Sequence, residues 1–459
     1  MNQSKIQSIL TKQRSFFASG ATKELSFRLH ALSKLKNTIL ENESLISNAL
    51  KKDLNKSEFE SYMTEIGIVL EEISFFKKQL KKLMKPRRAK TPITQFPAKS
   101  VIYPEPFGNV LILSPWNYPF QLSMTPLVGA IAAGNCVILK PSNDSPHTSS
   151  AISLLLKQCF EDSFVSVITG GRTENAALLE QKFDYIFFTG GPVVGKLVLE
   201  SAAKHYTPVT LELGGKSPCI VEKTANLETA AKRIVFGKLL AAGQTCVAPD
   251  YLLVQEEIKN SLIKLIKQNI KHCLGPNPIT NPEYPKIINS KHFDRICSLI
   301  SSETILYGGC SDRETLKIEP TLVEPTCRSA PIMQEEIFGP ILPILTFREI
   351  DQVIDALSSS EKPLALYLFT KDKTVETQVL RSLSFGGGCI NDTIVHLVSS
   401  SLPFGGVGES GMGSYHGEKS FDTFSHKKSI LKKASWFDLP LRYHPYQKHN
   451  LKFIKKFMK

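Results

Sequence analysis

From residue 110 onward, short apolar runs alternate with helical stretches, and this alternation restricts the accessible folds more than any other feature of the chain. Residues 110–113 read as a strand, 122–133 as a helix, 136–139 as a strand, 149–160 as a helix, and 164–168 and 185–188 as strands. Such βα alternation predicts a parallel, doubly wound sheet. A second series opens near Val209 with TLEL and CIVE, followed by a helix over 227–240, a strand over 252–254 and a helix over 258–270. It continues with strand-like runs at 341–345, 365–369 and 389–391, which predicts a second α/β lobe starting near Leu211. At 459 residues the chain exceeds the size at which one core keeps growing, so two lobes with a cleft between them are expected.

Ahead of this alternation, from Thr22 to Lys85, apolar residues recur at helical spacing: Leu25, Leu29, Leu32 and Leu35, then Ile66, Val69, Leu70, Ile73, Phe76 and Leu80. These predict amphipathic helices, with Phe75 and Phe76 on a packed face beside a solvated basic one. Pro86, Pro92 and Pro97 then break any helix and leave an extended segment over 87–103, suited to a projecting arm.

Composition excludes several classes. The net charge of +13 is spread along the chain without a nucleic-acid-binding motif, so no nucleic-acid partner is expected. Nine cysteines, an odd number without CxxC or a histidine at ligand spacing, imply neither a disulfide framework nor a metal site. The N-terminus shows no apolar signal core, and the longest apolar stretch, 126–139, is interrupted by Asn135 and falls short of the ~20 residues of a membrane span. A cytoplasmic location is expected.

Four segments can carry chemistry. FFTGGPVVGKL places glycines between a strand and a helix, where backbone N–H groups hold phosphate. Gly190, Gly195 and Lys196 satisfy GxxxxGK, but Leu197 stands where a nucleotide-triphosphate loop needs a hydroxyl, and GxGxxG is absent; a dinucleotide site and a plain tight turn both fit. GQTC ends on Cys246 after a helix, a nucleophile position or a packed thiol. ELGGK puts Glu212 at a strand end before two glycines, either as an accessible base or as a surface carboxylate. PWNYP fixes Trp116 and Asn117 in a rigid turn, where the carboxamide can face an oxyanion or cap the turn.

Together with GNCVILKPS, QEEIFGPILPI and LPFGGVGESGMGSYHGEKSFDTFSHKK, these segments resemble the aldehyde dehydrogenase superfamily along nearly the whole chain, in the wording of its class-three branch. The resemblance implies a Rossmann-type cofactor lobe (1–85 and 104–210), an α/β catalytic lobe (211–413), and an oligomerisation arm with a C-terminal tail (86–103 and 414–459). The arm would include a late strand near 427–432, and class-three relatives are typically homodimers. The resemblance makes Cys246 the nucleophile, Glu212 the water-activating base and Asn117 an oxyanion donor. It places NAD or NADP against Trp116, Lys140, Asn143, Thr189, Gly190, Gly191, Gly195, Glu336 and Phe338, with Tyr118 and Phe404 at the substrate pocket. Phe404 fits simple packing as well. Glu212 argues against relatives that pass the acyl group to coenzyme A, and Cys246, Glu212 and Asn117 together argue against a non-catalytic binding protein of the same fold.

Where NAD-selective relatives carry a glutamate three residues after the lysine matched by Lys140, this chain has Asn143, which predicts tolerance of NADP. At the C-terminus, helical spacing groups Leu451, Ile454 and Phe457 among lysines. Weak peripheral attachment to anionic lipid and docking on the protein's own surface both fit that pattern.

Overall fold

The computed structural model describes residues 3–327 and 329–458. The first sheet has six strands in the order Gly411–Met412, Val209–Glu212, Tyr185–Thr189, Asn109–Leu113, Cys136–Lys140, Val165–Val167. All its neighbours are parallel except the Gly411–Met412 edge. The central strands are buried at every position, as a parallel sheet covered on both faces requires. Side chains alternate between two cores. Val110, Ile112, Val137, Leu139 and Phe187 face one way, against the fully buried helix Gln121–Ala133. Leu111, Leu113, Ile138, Ile186 and Phe188 face the other. Helix Gln3–Ala18, outside the span read as helical from sequence, closes this second face with Ile6, Ile9 and Leu10.

The second sheet has seven strands in the order Thr304–Tyr307, Thr321–Glu324, Ile341–Phe347, Tyr251–Gln255, Pro218–Val221, Ala365–Phe369, Gly387–Ile390. Its first strand in chain order starts at Pro218, which corrects the expected start near Leu211. Val209–Glu212 is the parallel neighbour of Tyr185–Thr189 and belongs to the first sheet. A periodic run announces a strand without saying which sheet will pair with it. The expected strands at 164–168 and 389–391 form as Val165–Val167 and Gly387–Ile390, and the helix expected over 149–160 begins earlier, with Pro146 in its first turn.

The extended segment and the late strand pair as expected. Arg87–Ala89, Ala98–Pro106 and Ser425–Lys433 form a three-stranded antiparallel sheet. The residues just before the late strand depart from the expected arm. Helix Gly417–Thr423 returns to the first lobe and packs on Gln121–Ala133, where Ser420 and Phe424 lie against Gly129. Beyond the arm, helix Lys448–Phe457 leaves Leu451 and Phe453 more than half exposed, while the side chain of Phe457 lies outside the described residues.

Candidate active site

The carboxyl ends of the first sheet's strands open into a cleft of about 860 Å³ shared with the second lobe, the position at which open α/β sheets bind ligands. It brings together Trp116, Asn117, Thr189, Gly190, Gly191, Glu212, Cys246, Glu336 and Phe338. Each sits where a regular element stops: Glu212 is the last residue of its strand, Thr189 the last of its own, and Cys246 follows the helix Leu227–Leu239.

Cys246 is carried on an unusual backbone. Ala241, Ala242 and Gly243 take φ of 50°, 51° and 76° in succession, a left-handed path that costs about 1–2 kcal/mol for each non-glycine residue. Hydrogen bonds hold it. The Ala241 N–H donates to Glu60 Oε1 at 2.7 Å. Gln244 Nε2 donates to the carbonyls of Ala241 (2.8 Å) and Lys286 (3.1 Å), and its Oε1 accepts from the Ile288 N–H at 3.0 Å. A side chain on Gly243 would place its Cβ 2.3 Å from the Gly339 carbonyl oxygen, so this position admits only glycine. The polar letters of GQTC thus build the loop that presents the thiol.

Asn117 is buried and donates through Nδ2 to the Gln244 carbonyl at 2.9 Å. A carboxamide nitrogen has two hydrogens, so one remains for another acceptor. Glu212 is buried with neither carboxylate oxygen hydrogen-bonded among the described residues, and loss of solvent pushes its carboxyl well above the usual range. A buried carboxyl without a partner is unfavourable by at least 1–3 kcal/mol on an order-of-magnitude scale, so its retention in the cleft points to use. Burial, with the charges of Glu336 and Glu212 beside it, also pushes the Cys246 thiol up. Glu336 is raised to about 8 by burial and by Asp250. Its carboxylate lies over Gly214, where a Cβ would come within 2.2 Å of Oε2.

Polar residues that sequence reasoning left without a role turn out to hold this surface together. Lys216 Nζ pairs with Asp250 at 2.5 Å and donates to the carbonyls of Ile332 and Glu335. Asp250 Oδ1 accepts the Ile337 N–H. Arg295 donates to the carbonyls of Glu336 and Ile337. This clamp fixes Phe338, itself at φ 53°, edge-on to Trp116 with ring centroids 5.3 Å apart. Lys238, fully buried with its Nζ unbonded among the described residues, is lowered to about 8 by desolvation.

The cleft suits a dinucleotide. Gly191 precedes the helix Pro192–Ala203; among the described residues no side chain caps that terminus, and a Cβ on Gly191 would meet nothing within 4 Å. The N–H groups of this helix end therefore face open space that a pyrophosphate can enter. Thr189 Oγ1, beside it, is buried without a partner among the described residues.

Other expected contacts lie outside the cleft lining. Gly195 is buried in the helix, and its bare Cα lets the helix pack on Leu213. Lys140 is buried at the end of its strand, its Nζ donating to the Pro141 carbonyl at 2.8 Å and its amine lowered to about 8 by burial. Asn143 is exposed in the turn that follows. Tyr118 hydrogen-bonds Thr245 Oγ1 at 2.6 Å, next to Cys246. Phe404 is buried against His396, Tyr415 and His416.

Comparison with known proteins agrees with this geometry. The family model described as "Aldehyde dehydrogenase family" matches residues 1–430. The chain is 48% identical over 448 residues to the 4,4'-diaponeurosporen-aldehyde dehydrogenase of Staphylococcus aureus, covering 97% of each chain. It is 46% identical over 429 residues to the mouse (Mus musculus) "aldehyde dehydrogenase, dimeric NADP-preferring", covering 93% of this chain and 94% of that one. The solved structure titled "Substrate bound state of Staphylococcus Aureus AldH" superposes with a TM-score of 0.96 at 47% identity, covering 99% of both chains. With the motifs in order along the chain and their residues gathered in one cleft, this protein belongs to the aldehyde dehydrogenase family.

Proposed function

We propose that the protein oxidises an aldehyde to a carboxylic acid with NAD or NADP through a covalent intermediate on Cys246. The observation that carries this reading is a buried, unpartnered carboxyl, Glu212, lining the same cleft as a thiol on a strained loop. The thiol gives its proton to water in the cleft, and its sulfur attacks the carbonyl carbon. The resulting oxyanion lies against the free Asn117 N–H and the Cys246 backbone N–H, donors of a kind that contribute about 3–4 kcal/mol each. Bound nicotinamide supplies the hydride acceptor. Once hydride has left, Cys246 holds a thioester. Glu212 then takes a proton from water as its oxygen attacks, the carbon–sulfur bond breaks, and the acid departs.

Gly190, Gly191 and the helix end at Pro192 would hold the pyrophosphate, Lys140 and Asn143 the adenosine ribose, and Trp116, Thr189, Glu336 and Phe338 the nicotinamide half. Tyr118 and Phe404 would border the aldehyde. On this reading the first sheet is the cofactor lobe and the second the catalytic lobe. A panel of aldehydes assayed by nicotinamide absorbance, with each cofactor and without coenzyme A, tests it; turnover that requires coenzyme A would replace hydrolysis with acyl transfer.

The relative named dimeric supports assembly as a homodimer, and so does the Ser425–Lys433 strand, which lies at the sheet edge with most of its length exposed. A second chain there would cover unpaired backbone groups. We place the protein in a reducing cytoplasm, where the Cys246 thiol stays free.

Cofactor choice turns on the turn after Lys140. A glutamate at 143 would accept hydrogen bonds from the ribose and repel a 2′-phosphate, whereas Asn143 approaches either. The wild type is therefore expected to use both cofactors. Asn143→Glu is expected to lower the NADP-to-NAD ratio of kcat/KM by roughly ten- to a hundredfold, the worth of a charged hydrogen bond. An unchanged ratio would place selectivity elsewhere.

The tail supports a weak lipid contact. Among the described residues no helix is long and apolar enough to cross a membrane. Helix Lys448–Phe457 nonetheless presents exposed Leu451 and Phe453 among Lys448, Lys452, Lys455 and Lys456, the composition of an interfacial helix. The full chain is expected to co-sediment with anionic vesicles at low salt, and a variant ending at His444 is not. Equal binding by both removes the membrane role.

A further inference from the structure

We infer that Lys56, Glu65 and Glu60 form a buried brace that positions both halves of the oxyanion site, the Asn117 turn and the Cys246 loop, without touching substrate. This rests on the reading of Cys246 as nucleophile and Asn117 as donor, and it adds three positioning residues from the segment 56–65, outside the cleft lining.

The contacts close a ring. Lys56 Nζ donates to the Asn117 carbonyl at 3.0 Å. Asn117 Nδ2 donates to the Gln244 carbonyl at 2.9 Å, and Gln244 Nε2 donates to the Ala241 carbonyl at 2.8 Å. The Ala241 N–H donates to Glu60 Oε1 at 2.7 Å, four residues along from Lys56. Lys56 Nζ also pairs with Glu65 Oε1 at 2.5 Å, with both side chains fully buried, and it stands 3.8 Å from the centre of the Tyr118 ring. Glu65 Oε2 accepts the N–H groups of Phe120 and Gln121, at the start of the helix that follows PWNYP. One short segment thus grips the turn carrying the oxyanion donor and the left-handed loop carrying the thiol.

Stability alone does not account for this arrangement. A fully buried ammonium–carboxylate pair with a second buried carboxylate nearby is no more stabilising than apolar side chains of the same volume. What such a cluster provides is fixed direction: Lys56 meets one carbonyl oxygen and Glu60 one N–H. Glu65 stands within Tyr62–Ile66, a π-helical turn between two α-helical stretches. Widened turns of this kind recur where a helix aims a side chain at a functional site.

The test is Lys56→Met combined with Glu65→Gln. The pair removes the buried ammonium together with its carboxylate partner, keeps an acceptor for the Phe120 and Gln121 N–H groups, and releases the grip on Asn117, leaving Glu60 as the one buried carboxyl of the cluster. The expected result is a roughly hundredfold fall in kcat, the scale of a misplacement of about one ångström, with the dissociation constant for NAD within about threefold of wild type. Alkylation of Cys246 by iodoacetamide, which forms no oxyanion, should keep its rate. Glu60→Ala, which releases Ala241 from the opposite side of the ring, should reproduce the loss of kcat and decides the matter if the double variant does not fold. Wild-type kcat in the folded variants, or oxidation and alkylation falling together in the double variant, would overturn the brace. Failure of the underlying reading shows separately, as persistence of aldehyde oxidation in Cys246→Ala.

Discussion

Cys246→Ala is expected to lower aldehyde oxidation by roughly 10⁴-fold or more, the scale on which removing a covalent nucleophile acts, while leaving the dinucleotide dissociation constant within about threefold. The two halves of this expectation come from different parts of the cleft. On the proposed mechanism the sulfur is needed for a bond that must form before hydride can leave. The proposed pyrophosphate site is built by Gly190, Gly191 and the helix that starts at Pro192, none of which touches the thiol loop's hydrogen bonds. Truncation to alanine also spares the scaffold, because the loop is held by Gln244, Glu60 and the close approach of Gly243 to Gly339. Binding can be read from intrinsic fluorescence. The chain has two tryptophans, Trp116 in the cleft and Trp436 exposed near the C-terminus, so a Trp436→Phe background isolates the cleft signal. Turnover near wild type in Cys246→Ala would remove the covalent mechanism, and loss of cofactor binding would make the thiol loop part of the cofactor site.

The contrast between what sequence revealed and what it concealed follows from where each interaction is made. Strands such as Tyr185–Thr189 and Ala365–Phe369 are buried on both faces, so they appear as unbroken apolar runs within the chain itself. Cys246, Glu212 and Asn117 stand in segments whose neighbours are constrained by local geometry, such as the glycine against Gly339 and the glutamine that closes the loop. Those constraints give the motifs their wording. Sheet membership is different in kind. Nothing in TLEL says that it pairs with Tyr185–Thr189, and the two-residue edge Gly411–Met412 is too short to carry any period. Lys56, Glu60 and Glu65 were equally hidden. Charged residues on a helix or in the link before it normally face solvent, and their burial here is decided by partners as far as 181 residues away. Lys140 and Asn143 fall between these cases: the motif locates them at and just after the end of strand Cys136–Lys140, but Lys140 is turned onto its own neighbour's carbonyl and Asn143 faces solvent.

Glu212→Gln is expected to separate the two halves of the reaction. Acylation and hydride transfer should still occur, giving a burst of about one reduced cofactor per active site, followed by a steady state slowed roughly 10²- to 10³-fold, the usual worth of a general base. Rapid mixing at saturating aldehyde reads both phases, and a loss of the burst itself would assign Glu212 to an earlier step, deprotonation of the thiol. The pH profile supplies an independent check. Desolvation holds the Glu212 carboxyl well above the usual carboxylate range, with no hydrogen bond to it among the described residues, whereas an exposed glutamate would titrate near about 4.3. Only the carboxylate can accept a proton, so activity is present above this raised pKa and is lost as pH falls through it. The acid limb of kcat should therefore begin at a higher pH than an exposed glutamate would give, with about a tenfold fall per pH unit below it. Glu336, raised to about 8 in the same cleft, is the other carboxyl able to produce such a limb. Substitution distinguishes them. In Glu336→Gln the acid limb should persist, because that carboxylate is assigned to the cofactor, whereas in Glu212→Gln the slow steady state should become flat with pH over the same range. A limb that disappears with Glu336 and survives without Glu212 would transfer the base to Glu336, whose carboxylate is already bound over Gly214 and would have to swing out to reach the thioester.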